Sequence, residues 1–261
     1  MKIALLQTDI TWNSPSKNIS KAARLCADAA SKGAEMVLLP EMFTCGFSMP
    51  TGEFAKENFE IGSSFLVNTA RELNVTTVGT VPEMDKSGAL YNSALLCRPD
   101  QSIESYRKLH LFSYGEETTH YSAGSRLLTT SVGDLRCSVF ICYDLRFPLP
   151  FYQVSPQTDL FIIPANWPST RREHWITLLR ARAIESQAYV AGINRVGQGG
   201  GLSYSGDSVV FAPDGSQLTR TSGEEEVIVC DIESERVSTW RATFPALRDR
   251  RPDLYSNFSS I

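Results

Sequence analysis

The stretch Leu135-Arg-Cys-Ser-Val-Phe-Ile-Cys142-Tyr143-Asp-Leu-Arg146-Phe-Pro148 sets an apolar run directly against a polar one. The apolar part predicts a buried strand over residues 135–142, and the polar part predicts a sharp turn followed by a short helix. A thiol at that junction is held at the edge of a sheet, where ligands and chemistry gather in α/β folds. A lone cysteine is usually a small core hydrophobe, so Cys142 needs chemical partners before its position indicates catalysis.

Two other apolar runs end in groups that suit a reactive thiol. Met36-Val-Leu-Leu-Pro40-Glu41 ends in a carboxylate, and Tyr106-Arg-Lys108 brings a lysine after a third β-rich segment. A carboxylate transfers protons, and a fixed ammonium lowers the pKa of a thiol and stabilises an oxyanion. Convergence of Glu41, Lys108 and Cys142 therefore predicts a site for nucleophilic catalysis.

Strands and amphipathic helices alternate in the first part of the chain. Strands are predicted at 2–7, 35–39 and 75–81, with a helix from Pro15 to Gly33 and another near 62–73. The spacing of apolar residues fits sheets packed face to face, with helices outside.

The second part of the chain begins with several short segments that are predicted to be strands. Hairpins are predicted around the turns Pro99-Asp100 and Pro213-Asp214-Gly215, and these two similar turns suggest an internal duplication. Thr170-x-x-Glu173 predicts a capping box that opens a long helix, and Gly197–Gly201 predicts a glycine-rich loop.

Composition limits the classes of function. The chain has 261 residues, 42% of them hydrophobic, which is enough for the core of one domain, predicted over 1–261. A formal charge of −4 argues against nucleic acid or an anionic membrane as the main partner. The six cysteines include no C-x-x-C pair, which argues against zinc and favours reduced thiols in a reducing compartment. Without a signal peptide or an apolar run of about 20 residues, a soluble cytoplasmic protein is expected.

Three segments together resemble those of the nitrilase superfamily of carbon–nitrogen hydrolases. They are Leu39-Pro40-Glu41-Met42, Arg107-Lys108-Leu-His110-Leu and Ile141-Cys142-Tyr143-Asp144-Leu-Arg146-Phe-Pro148, in the same order and at similar spacing. Pro164-Ala-Asn166-Trp167-Pro168 and the helix that follows are similar to the omega-amidase branch, which releases ammonia from 2-oxo acid amides such as 2-oxoglutaramate.

The resemblance implies an α/β fold: a four-layer α-β-β-α sandwich of two pseudo-symmetric halves. It also implies no metal, no organic cofactor, a small-molecule amide as the partner, and a homodimer formed through an α-layer.

The resemblance also implies roles for individual residues. Cys142 is the expected nucleophile that forms a thioester, and Glu41 is the expected general base. Lys108, with the backbone N–H of Tyr143, is expected to stabilise the oxyanion. Glu117 is the expected second carboxylate, although the adjacent Glu116 is left open as the alternative.

The expected substrate contacts are less specific. Arg146 is expected to bind the substrate's carboxylate, since a planar guanidinium suits bidentate recognition; a salt bridge to Asp144 or Glu185 is an equal alternative. Three aromatic residues are expected to wall the pocket or, equally, to belong to the core: Phe43, Tyr121 and Trp167.

Three functions stay open on the sequence. The leading one is an amidohydrolase for a short 2-oxo dicarboxylic acid monoamide. An amidase for deaminated glutathione is the nearest alternative, and a non-catalytic scaffold on the same fold is the alternative from another class.

Overall fold

The computed structural model describes residues 1–255, so residues 256–261 of the predicted single domain lie outside the described part. The strands are β1 (Lys2–Gln7), β2 (Met36–Leu38), β3 (Thr76–Met84), β4 (Leu90–Cys97), β5 (Ile103–Arg107), β6 (Thr129–Val132), β7 (Leu135–Val139), β8 (Leu160–Ala165), β9 (Tyr189–Asn194), β10 (Val196–Gly199), β11 (Leu202–Ser205), β12 (Val209–Phe211) and β13 (Glu226–Asp231).

Seven helices lie between or after these strands in the described residues 1–255. They are α1 (Pro15–Ser31), α2 (Gly52–Leu73), α3 (Glu117–His120), α4 (Pro148–Val154), α5 (Arg172–Ser186), α6 (Ser234–Thr243) and α7 (Pro252–Tyr255). Short 3-10 turns lie at Ser113–Gly115, Cys142–Arg146, Ser155–Gln157, Ser169–Arg171 and Ala246–Asp249.

Each half of the chain repeats one arrangement of strands. β1, β2 and β3 are parallel neighbours linked by α1 and α2, and β7, β8 and β9 are parallel neighbours linked by α4 and α5. An antiparallel strand extends each set, β4 beside β3 and β12 beside β9. The resulting sheets have the orders β13-β1-β2-β3-β4-β5 and β12-β9-β8-β7-β6. The predicted α-β-β-α sandwich of two pseudo-symmetric halves is confirmed.

The core divides according to the alternation of side chains along each strand. In β1, Ile3 and Leu5 belong to the cluster between the two sheets, whereas Ala4 and Leu6 belong to a second cluster beneath α1 and α2. Successive residues of a strand point to opposite faces, so one strand supplies both layers. Trp175 of α5 is buried and belongs to the same cluster as the strands of the second sheet.

Two helical predictions need correction. α2 begins at Gly52 rather than near residue 62. The prediction missed its first turns because their inward positions carry small or polar residues, such as Ala55 and Asn58, instead of large apolar ones. The predicted capping box is absent: the chain forms a 3-10 turn before α5, whose N-cap is Arg171, with no side-chain capping hydrogen bond.

The glycine-rich segment is a hairpin rather than a loop. β10 and β11 pair antiparallel, and Gly200 and Gly201 take left-handed backbone at the tip, with φ of 56° and 76°. This hairpin and the helices after β13 were not predicted from the sequence. Within residues 1–255, no helix combines the length and apolar character needed to cross a bilayer.

Candidate active site

Cys142 stands in a strained turn just beyond β7. The strand ends at Val139, three residues earlier than predicted, and Cys142 opens a 3-10 turn with a left-handed φ of 44°. A non-glycine residue in this region costs on the order of 1–3 kcal/mol and persists only where its surroundings hold it.

Asp144 supplies that restraint. Its Oδ2 accepts from the Ile141 N–H at 3.0 Å and from the Tyr106 hydroxyl at 2.7 Å. Its Oδ1 accepts from the His110 N–H at 2.8 Å and lies 2.8 Å from His110 Nδ1. One buried carboxylate therefore ties the Cys142 turn to the segment that carries Lys108.

Lys108 lies between two buried carboxylates. Its Nζ donates to Glu41 Oε1 at 2.9 Å and to both oxygens of Glu117, at 3.1 and 2.9 Å. The lysine is only 1% exposed. Burial works against its charge, but the attraction of Glu117 and Glu41 outweighs that effect and holds the pKa of Lys108 above its ordinary value. The Lys108 ammonium is therefore the positive charge that balances the two carboxylates.

The choice between the two adjacent glutamates is clear in the structure. Glu117 is buried and accepts from Lys108 and from the backbone N–H of Phe112 at 2.7 Å. Glu116 is exposed and has left-handed backbone. Of the two candidates, Glu117 lies beside Lys108 and Glu116 does not.

Two asparagines that the sequence analysis missed complete the cluster. Asn92 Nδ2 donates to Glu41 Oε1 at 2.8 Å and to Glu117 Oε1 at 3.1 Å. The backbone N–H of Asn166 donates to Glu41 Oε2 at 2.9 Å, and its Nδ2 donates to the Glu41 carbonyl at 2.6 Å. Asn92 could have been noticed as an amide inside the apolar strand β4, and Asn166 as the polar residue that directly follows β8.

The thiol of Cys142 faces the Glu41 carboxylate and the Asn166 N–H. Burial, followed by the negative charge of Glu41, raises the pKa of Cys142 well above its ordinary value, and the opposing effect of Lys108 is smaller. Lys108 does lower this pKa, as expected, but burial and the nearby carboxylate outweigh its effect in the resting site. The resting group is a neutral thiol that needs a base before it can attack.

A pocket opens directly onto this cluster. It encloses about 430 Å³ of empty space, part of it open to solvent, and aromatic rings form much of its wall. The lining residues are Glu41, Phe47, Lys108, Phe112, Cys142, Tyr143, Arg146, Asn166, Trp167, Pro168, Arg171, Leu202 and Tyr204.

Arg146 faces the pocket rather than a carboxylate. Its guanidinium lies 4.7 Å from the centre of the Trp167 ring, and its Nη2 lies 3.2 Å from His174 Nδ1. Neither alternative salt bridge forms, because Glu185 pairs with Arg182 at 2.8 Å and Asp144 is occupied as described. Trp167 is a pocket wall, as expected.

Two residues expected at the pocket lie elsewhere. Phe43 is buried beneath α2, where it contacts Phe65 with ring centres 5.8 Å apart. Met42 has a left-handed φ of 47°, so the chain turns after Glu41 and directs Phe43 away from the site. Tyr121 packs in a separate cluster with Met42, and its hydroxyl donates to the Pro50 carbonyl at 2.9 Å.

Tyr143 lines the pocket beside the thiol. It is the second residue of the 3-10 turn, so its N–H belongs to those that find no carbonyl partner inside the turn. That N–H is available to a group bound next to Cys142.

Comparisons with known proteins agree with this geometry. The family model described as carbon-nitrogen hydrolase matches residues 2–242. The chain is 35% identical to "Omega-amidase YafV" of Escherichia coli strain K12, covering 95% of this chain and 96% of that protein. It is 34% identical to "2-oxoglutaramate amidase" of Bacillus subtilis, covering 97% and 98%.

Solved structures give the same result. A CN-hydrolase superfamily protein of Xanthomonas campestris, with an arsenic adduct in its active site, has a TM-score of 0.89 at 33% identity, covering 96% of this chain and 97% of that one. An amidase variant from Nesterenkonia sp. AN1, with acrylamide added to its active-site cysteine, has a TM-score of 0.87 at 26% identity, covering 99% of both chains.

Proposed function

The chain belongs to the carbon–nitrogen hydrolase family and is a cysteine-dependent hydrolase, and from this we propose that it releases ammonia from the terminal amide of a short 2-oxo dicarboxylic acid monoamide such as 2-oxoglutaramate. The observation that carries the proposal is a thiol beside a carboxylate–lysine–carboxylate cluster in the wall of a pocket. The same pocket holds the Arg146 guanidinium, which has no carboxylate partner among residues 1–255.

Acylation begins at the thiol. Glu41 takes the proton of the Cys142 thiol as the sulfur attacks the carbon of the substrate amide. The tetrahedral oxyanion is stabilised by the Lys108 ammonium and by the Tyr143 N–H. Glu41 then gives its proton to the departing nitrogen, so that ammonia leaves and a thioester to Cys142 remains.

Deacylation reverses the proton movements. Glu41 takes a proton from a water molecule that attacks the thioester carbon, and the carboxylic acid leaves as the sulfur regains a proton. One carboxylate serves both steps because it lies beside the sulfur and is fixed by Lys108, Asn92 and Asn166.

Glu117 acts through Lys108. The three hydrogens of the ammonium already contact Glu41 and both oxygens of Glu117. When the oxyanion forms, one of the two Glu117 contacts can be released while the other keeps the ammonium in place. Glu117 is therefore proposed as the group that orients Lys108.

The far end of the substrate meets positive charge. Arg146 lies over the Trp167 ring at the pocket wall, and Arg171 lies 5.5 Å from the centre of the Phe112 ring. Within residues 1–255 neither guanidinium has a carboxylate within ion-pair distance. We propose that Arg146 binds the substrate's carboxylate, which distinguishes a dicarboxylic monoamide from an uncharged amide.

A cytoplasmic homodimer completes the proposal. The exposed apolar side chains Ile184 of α5 and Phe244 just after α6 support an α-layer contact between two copies. The six free cysteines support a reducing compartment.

The test is an ammonia-release assay on 2-oxoglutaramate, succinamate, glutamine and deaminated glutathione, with Cys142→Ala and Cys142→Ser alongside. The proposal expects the highest kcat/KM on the 2-oxo acid and no turnover by either variant. Equal rates on glutamine would overturn the substrate assignment, and a preference for deaminated glutathione would favour the neighbouring branch. A protein inactive on all four, and on simple amides, would be a scaffold.

A further inference from the structure

Tyr204 is a pocket residue that the mechanism above does not use. It lies on β11 of the hairpin and is 6% exposed, with its side chain in the pocket wall together with Arg171 and Leu202. The strand that carries it contacts the 3-10 turn that carries Arg171. Tyr204 therefore lines the pocket close enough to Cys142 and Arg171 for both to act on its hydroxyl electrostatically.

The ring of Tyr204 is held from behind by a buried arginine. The Arg195 guanidinium lies 4.5 Å from the ring centre, and its Nη2 donates to the Ile10 carbonyl at 2.8 Å and the Gln198 carbonyl at 2.9 Å. These bonds join the hairpin to the loop after β1. The orientation of the ring is thus fixed before any ligand arrives, which is the condition for selective hydrogen bonding.

The hydroxyl of Tyr204 has no hydrogen-bond partner within residues 1–255. An unpaired hydroxyl in the wall of a pocket is free to donate to an atom of a bound ligand. Burial, reinforced by Cys142 and Glu41, raises the pKa of Tyr204 to about 12. The group therefore keeps its proton at neutral pH and remains a donor.

On the basis of the proposed function, we infer that Tyr204 is a specificity-determining residue whose O–H donates to the 2-oxo oxygen of the substrate. With the amide at Cys142 and the carboxylate at Arg146, the 2-oxo group lies between them, in the pocket that Tyr204 lines. A ketone oxygen accepts a hydrogen bond, whereas the ammonium at the same carbon of an amino acid amide only donates. The nearby guanidinium of Arg171 also disfavours that ammonium, because the two carry the same charge.

The experiment compares two acids that differ only in this group. 2-Oxosuccinamate and succinamate have the same length, amide and carboxylate, and kcat/KM is measured on both for the wild type and Tyr204→Phe. Phenylalanine keeps the ring that packs on Arg195. We expect kcat/KM to fall about tenfold on 2-oxosuccinamate and to stay within about twofold on succinamate. The matched control is Tyr121→Phe, a buried tyrosine outside the pocket, which should leave the ratio between the two acids unchanged.

An equal fall on both acids, or no fall on either, would overturn the assignment. If Tyr204→Phe does not fold, Tyr204→Met gives the same comparison, because it too lacks the donor. Failure of the underlying function looks different: the wild type itself would then show no preference for the 2-oxo acid.

Discussion

Asn166 holds Glu41 at two points, with its backbone N–H on the carboxylate and its side-chain amide on the main-chain carbonyl. The two residues belong to opposite halves of the sandwich, so the proposed base is positioned partly by the sheet that carries the sulfur.

The first prediction concerns this contact. Asn166→Ala removes the 2.6 Å hydrogen bond to the Glu41 carbonyl and leaves that oxygen without a partner. The free energy of unfolding should fall by about 1–3 kcal/mol, measured by urea titration, and kcat should fall about tenfold as the carboxylate loosens. Asn18→Ala is the matched control, since the Asn18 Nδ2 also donates to main-chain carbonyls, and its bond to the Thr44 carbonyl is buried. It should lose similar stability and keep kcat; equal losses of kcat would refute the argument.

A second prediction follows from the raised pKa of the Cys142 thiol. Alkylation of wild-type Cys142 by iodoacetamide should be slow near pH 7 and should accelerate with pH to well above 9, because only the thiolate reacts. Glu41→Gln removes a negative charge that raises this pKa, so its labelling curve should shift to lower pH while ammonia release is lost. Rate constants for the Cys142 peptide from pH 6 to 10, followed by mass spectrometry, test this. Superimposable curves would contradict it.

The third prediction concerns the buried ammonium. Lys108→Met leaves Glu41 and Glu117 buried beside each other without their cation, so activity should vanish and unfolding should become easier by about 3–5 kcal/mol near neutrality. In the wild type the pKa of Lys108 is raised, so its contribution is fully present below its ordinary value of 10.5 and is lost only as the pH rises through the folded-state value. Between pH 5 and 8 it is constant.

Chemical denaturation of the wild type and Lys108→Met near pH 7 gives the comparison. Equal free energies of unfolding in the two proteins would contradict the prediction.

The fourth prediction separates the far end of the pocket from the reacting end. Arg146→Met should lower kcat/KM on succinamate about 10–100-fold, the effect of one lost charge-assisted contact. Butyramide, which has a methyl group where succinamate has its carboxylate, should change little. Parallel losses on both amides would show instead that Arg146 supports the site as a whole.

Much of the architecture was readable from the chain because hydrophobic periodicity is local. The succession of strands follows from the apolar runs, and the runs that precede Glu41, Lys108 and Cys142 lead to one site. Glu117 was identified through the family resemblance instead, because no apolar run ends at it. The long helix α2 was underestimated because small and polar residues fill its inward positions.

The features that were not predicted depend on the direction in which a side chain points, which the pattern of apolar residues along the chain does not show. Asn92 is an unremarkable amide until the fold brings two carboxylates to either side of its Nδ2. Phe43 follows Glu41 by two residues, yet the left-handed backbone of Met42 sends the two side chains to different layers. A change of side-chain direction of this kind does not alter the pattern of apolar residues in the sequence.

Lys108, Glu41 and Glu117 belong to the half of the chain that forms the first sheet, whereas Cys142 and its turn follow a strand of the second sheet. Warming that lets the two layers slide past each other by little more than an atomic radius would break the proton path while every helix stays intact. Activity should therefore be lost at a lower temperature than the helical circular dichroism signal, because activity depends on how the two sheets are aligned.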